Sequence, residues 1–115
     1  MHEASIAIST IEAIKDIEKK ESIRAERVVI EVGQGSGVNI QALSFCLKQI
    51  SDSENLNIVF EIIDTPITGY CGECKENFTL DYLSSICPKC HNLSFEIISG
   101  TELNIKEIEG DKFEG

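Results

Sequence analysis

Four of the five cysteines stand in two pairs, Cys71-Gly72-Glu73-Cys74 and Cys87-Pro88-Lys89-Cys90, with twelve residues between them. Each pair can place two sulfurs on one side of a tight turn, and two such turns brought together make the tetrahedral thiolate set that Zn²⁺ favours. Four thiolates leave no open coordination position, so the ion is expected to be a scaffold rather than a hydrolytic centre. The stretch around the pairs carries few apolar side chains, and metal binding must supply the free energy that orders it. Two other chemistries share parts of the pattern. A redox dithiol calls for a thioredoxin-like βαβ setting, which surrounds neither pair. Cys87-Pro88-Lys89-Cys90-His91 matches the CxxCH haem-attachment pattern, but haem would leave the first pair without a purpose, and the only Met is Met1. His91 is a candidate alternative zinc ligand or a donor behind the ligands, set against an exposed, uninvolved imidazole. Tyr70, Phe78 and Tyr82 read as the small apolar packing set of this segment, with a docking surface as the competing reading.

The elements that must position this segment are an amphipathic helix, three strands and a second helix. Ala4, Ala7, Ile8, Ile11, Ile14 and Ile17 recur at steps of three and four, which predicts a helix over 4–20 with a solvated face of Glu12, Lys15, Asp16, Glu18 and Lys19. Val28 to Gly33 is rich in β-branched residues and reads as a strand. Gly33-Gln34-Gly35-Ser36-Gly37 fits neither G-x-G-x-x-G nor the P-loop, so a strand-to-helix turn is expected. Asn39 then caps a helix whose buried stripe is Ile40, Leu43, Leu47 and Ile50, with Cys46 beside it as a core thiol. Leu56 to Asp64 predicts a second strand. Phe95 to Ile98 with Leu103 to Ile108 predicts a third, bent at Ser99-Gly100. The expected class is α/β: two helices on a three-stranded sheet with an inserted four-cysteine zinc-ribbon subdomain. Residues 1–66 and 96–110 form the discontinuous main domain, 67–95 the insert and 111–115 a tail.

Composition sets the class of partner. Ten Lys and Arg against twenty Asp and Glu give a formal charge of -10 in 115 residues. That sign repels nucleic-acid phosphates and anionic membranes, so neither is an expected partner. No long apolar run and no basic-then-apolar leader is present, which predicts a cytoplasmic protein in which cysteines serve as ligands rather than disulfides. A zinc-ribbon module for protein or nucleic-acid interaction is the alternative function. A metallohydrolase would need an open metal position and a general base, and the two histidines join no catalytic set, so no enzyme is expected.

Met1-His2-Glu3 leading directly into a helix, Gly33-Gln34-Gly35-Ser36-Gly37-Val38 after the first strand, the two CxxC pairs, and Ile98-Ser99-Gly100-Thr101-Glu102-Leu103 occur in one order. In that order the chain resembles the HypA family of nickel-insertion proteins for [NiFe]-hydrogenase maturation, from Met1 to about Glu109. The resemblance implies a nickel metallochaperone with Ni²⁺ at the N-terminus and Zn²⁺ in the ribbon. It implies nickel binding by Met1, His2 and Glu3 through the Met1 amine, the His2 imidazole and nearby backbone nitrogens of His2 and Glu3. Its implied partners are a HypB-like GTPase and the hydrogenase large-subunit precursor, with urease as a further client. The chemistry agrees: an amine, an imidazole and deprotonated amides within three residues form short chelate rings suited to square-planar Ni²⁺ or Cu²⁺. A bulky His2 should also prevent trimming of Met1 and preserve its amine. Cu²⁺ binds such donors more tightly than Ni²⁺, so selectivity must come from copper limitation or partner recognition.

Overall fold

The computed structural model describes residues 2–80 and 96–113. The first helix, α1, spans Glu3–Glu21, and β1 follows at Ile23–Gly33 after a one-residue reversal at Ser22, whose φ of 53° is left-handed. Glu3 in the first turn and Lys19 and Lys20 in the last match the helix dipole. A 3₁₀ turn over Gln34–Ser36 leads to α2, Ile40–Ser53, where the Asn39 side chain accepts the Ala42 N–H as the predicted cap. The glycine-rich segment is therefore the strand-to-helix connection expected of it. Strand β2, Val59–Thr65, runs parallel to β1, so α2 is the crossover of a βαβ unit.

The chain next builds a second, smaller sheet from β3 (Thr68–Cys71), β4 (Glu76–Thr79) and β5 (Glu96–Ser99), in the order β4-β3-β5 with both pairings antiparallel. It returns to the first sheet as β6, Leu103–Lys112, antiparallel to β1, giving the order β2-β1-β6. The expected third strand is thus two strands in two sheets. Residues 96–99 pair with β3, and the strand of the first sheet reaches Lys112, two residues into the expected tail. The cause is Gly100, whose φ of 93° turns the chain out of one sheet and into the other.

Both helices cover one face of the first sheet. Val28, Ile30 and Val32 point into a core shared with Ala7, Ile11 and Ile14 of α1 and Leu43 and Leu47 of α2. Each fully buried Leu or Ile there contributes about 1.5–3 kcal/mol relative to exposure. Cys46 packs against this cluster, half-buried, as a small apolar side chain would. The stripe on α1 is rotated from the expected one. Glu3 and Thr10 are buried, whereas Ala4 and Ile8 are exposed, because α1 must face α2 as well as the sheet. Among the described residues no helix is long and apolar enough to cross a membrane.

The two sheets meet through glycines. Gly33 N–H donates to Glu102 O and Gly35 N–H to Gly100 O, both at 2.8 Å. A Cβ on Gly33 would lie 2.2 Å from Gly100 O, and one on Gly100 would lie 2.3 Å from Pro66 O and 2.5 Å from Ile67 Cα. Gly37 has a similarly left-handed φ of 77° but nothing within 4 Å of its would-be Cβ. Gly100→Ala should therefore lower unfolding free energy by about 2–4 kcal/mol, the sum of left-handed strain and overpacking against backbone. Gly37→Ala should cost only the strain, about 1–2 kcal/mol. Urea denaturation of the two variants side by side measures the difference, and equal losses would show that the junction is not close-packed.

Candidate metal centres

At the N-terminus, His2 is exposed and occupies the cap position of α1 without making a side-chain capping hydrogen bond; its carbonyl accepts Ile6 N–H at 2.9 Å. Its imidazole therefore has no part in starting the helix. Glu3 is its opposite, only 7% exposed, with Oε2 accepting the Asn39 N–H at 3.0 Å. That bond is the largest of the interactions that hold the Glu3 carboxyl at a pKa of about 2, well below the ordinary carboxylate range. The fold thus favours the ionised form. Its contribution is complete above the ordinary range and is lost as pH falls through about 2. Asn39 caps α2, so this single carboxylate ties the start of α1 to the start of α2 across 36 residues of sequence.

The sequence already makes Glu3 the local counter-charge to the positive end of the α1 dipole, and the tie adds an anchoring role that it did not reveal. Glu3 anchors the start of α1 and sets one negative charge in its first turn, opposing the positive end of the α1 dipole. The signal was present as Asn39 reading as a cap, but nothing in the spacing links positions 3 and 39. Met1 lies outside the described residues.

In the second sheet, β3 and β4 are joined by a tight turn over 72–75. Tyr70 pairs with Asn77 and Cys71 with Glu76. Lys75 N–H donates to Cys71 O at 2.7 Å, and Lys75 takes a left-handed φ of 57°, which closes the turn around Cys71-Gly72-Glu73-Cys74. Cys71 is completely buried and Cys74 half-buried. Tyr70 and Phe78 are half-buried in the adjoining strands. A buried sulfur at the end of a four-residue strand, with a second sulfur brought back by a closed turn, suits two adjacent corners of a tetrahedral thiolate site. Cys87, Cys90, His91 and Tyr82 lie outside the described residues. Among the described residues, no three His, Cys, Asp or Glu side chains gather as a metal cluster.

This architecture has counterparts among known proteins. A family model described as "Hydrogenase/urease nickel incorporation, metallochaperone, hypA" matches residues 1–110. The chain is 34% identical over 111 residues to a "Hydrogenase maturation factor HypA" of Dechloromonas aromatica, covering 95% of this chain and 98% of that one. It is also 34% identical over 112 residues to the protein of the same name from Prosthecochloris aestuarii, covering 94% and 97%. Its fold matches the solution structure of the Ni metallochaperone HypA from Helicobacter pylori with a TM-score of 0.70 at 24% identity, covering 98% of this chain and 100% of that one. The family match spans the N-terminal helix and both sheets, and the chain belongs to the HypA family of nickel metallochaperones that serve hydrogenase maturation.

Proposed function

We propose that this chain takes up Ni²⁺ at its first residues, through the Met1 amine, the His2 imidazole and backbone nitrogens of His2 and Glu3, and releases it by docking rather than by catalysing a covalent reaction. The observation that carries this reading is the contrast between neighbours. Glu3 is buried and pinned to Asn39, while His2 is exposed and its imidazole takes no part in capping the helix. A rigid anchor directly beside an exposed donor limits the entropy lost when donors close on an ion, yet leaves the ion accessible to a recipient.

Zn²⁺ held by Cys71, Cys74, Cys87 and Cys90 would supply a fixed tetrahedral centre that orders the second sheet, with His91 as an alternative ligand or a neighbour. Residues from Thr68 to Ser99 then form the zinc unit, and the first sheet with its helices forms the nickel unit. Its partner is a HypB-like GTPase and the eventual recipient is the hydrogenase large-subunit precursor, in the cytoplasm, with urease as a second client.

Calorimetric titration of Ni²⁺ into untagged protein, compared with a version carrying one extra N-terminal residue, tests the site. The extension moves the α-amine out of chelate-ring reach of the imidazole and should eliminate stoichiometric, high-affinity uptake. Equal affinity in the two proteins would remove the N-terminal assignment.

A further inference from the structure

With both helices on one face of the first sheet, none of the described helices or strands covers the opposite face. On that face Val29 is only 4% exposed, and the charged side chains around it stay open to solvent. Register places Arg27 between Val59 and Glu109, Val29 between Glu61 and Glu107, and Glu31 between Ile63 and Asn104. Arg27 pairs with Glu61 of β2 and with Glu107 and Glu109 of β6, the latter two at 3.4 and 3.3 Å. Three carboxylates around one guanidinium leave two negative charges in excess, and all three carboxylate side chains stay about half exposed. Among the described residues, Lys106 pairs with Glu31 alone, at 3.7 Å.

The excess extends along the face in both directions. Towards the second sheet, an open cleft of about 270 Å³ is lined by Glu31, Glu102, Asn104, Thr68 and Ser99. At the far end, Glu26 sits at the bulge between Ala25 and Arg27, and its hydrogen bond with the Asp111 carboxyl raises its pKa. Val59, 64% exposed, and the half-buried Ile63 add an apolar margin on the β2 side.

We propose that this helix-free face is a docking surface for a cationic protein partner, whose Lys or Arg side chains settle among Glu61, Glu107 and Glu109 with an apolar contact on Val59. The charge pattern selects this occupant. A nucleic acid or an anionic membrane brings the wrong sign, and a second copy of the chain, itself at -10, would oppose like with like. A small metal ion would have to displace the Arg27 guanidinium from the centre of its carboxylates. A protein partner need not, because each carboxylate keeps an exposed side on which a cation can sit.

The inference rests on the nickel-delivery reading for its choice of probe, the cognate maturation GTPase. The zinc-loaded, full-length chain is titrated with that GTPase at low and near-physiological salt. Glu107→Gln/Glu109→Gln, which leaves Arg27 its Glu61 partner, is compared with Glu12→Gln/Asp16→Asn, which removes the same charge from the exposed face of α1. The sheet pair should bind about tenfold more weakly and with a shallower salt dependence, and the helix pair within about twofold of the native chain. Equal losses in the two pairs would show a net-charge effect and overturn the proposal, as would an unchanged sheet pair or a native chain that does not bind the GTPase. Ni²⁺ affinity, measured on the same samples, should be unaffected by either pair. Its absence from the native chain would sink the delivery reading and not the docking face.

Discussion

His2→Ala is expected to abolish stoichiometric Ni²⁺ binding while leaving zinc content, far-UV circular dichroism and melting temperature unchanged. The imidazole would be the one side-chain donor of the N-terminal chelate, and the remaining amine and backbone nitrogens cannot close the same rings without it. The fold has no stake in that ring. His2 is exposed, makes no side-chain capping bond, and serves α1 only through its carbonyl, which Ala retains. The anchoring carboxylate of Glu3 on Asn39 is untouched. Calorimetry for nickel, with atomic absorption for zinc, reads both halves of the expectation. Retained high-affinity uptake would place the nickel donors elsewhere, and a loss of helicity would mean that His2 supports α1 in a way its contacts do not show.

Cys71→Ser should have a larger structural effect confined to one sheet. Among the described residues of β3, β4 and β5, only Gly69 and Cys71 are buried, so this sheet has almost no apolar core of its own. The core cluster lies entirely in the first sheet and its helices. On the proposed zinc assignment the ordering free energy of the second sheet comes from the thiolates, since structural Zn²⁺ in small domains supplies about 10–16 kcal/mol of apparent binding free energy at pH 7. Serine is close in size but a poor zinc donor, so the variant should lose its zinc and the slow amide exchange of β3, β4 and β5. Val28, Ile30 and Leu47 should keep theirs. Full zinc stoichiometry in the variant, or collapse of both sheets together, would contradict the assignment of Cys71 as a ligand.

Both helices were legible in the sequence because their apolar residues repeat at helical spacing and Asn39 marks the start of the second. The strands were read less completely, for a reason visible in particular residues. Ile23 to Arg27 belongs to β1, yet Arg24, Glu26 and Arg27 give it neither an apolar face nor β-branched character. It becomes a strand because β6 pairs with it as far as Lys112, a long-range contact that no local window contains. The same applies to β5 and β6, which look like one bent strand until Gly100 sends them to different sheets. Ile8 matched the periodicity and is still 50% exposed, since periodicity gives a face but not which part of it a second helix covers. The tight turn that carries Cys71 and Cys74 was readable from their spacing alone. The partnership of Glu3 with Asn39 was not, because it depends on how two helix ends meet in space.

At the glycine junction, the chain leaves the first sheet through Pro66 and Ile67 and comes back through Gly100, with the outgoing and returning backbones in direct contact. A module hung from one such doorway places almost no geometric demand on its host, because the gap it bridges is already closed. Shortening, lengthening or exchanging the hanging part should therefore leave the registration of the host sheet unchanged. A graft between relatives needs to match only that one threshold.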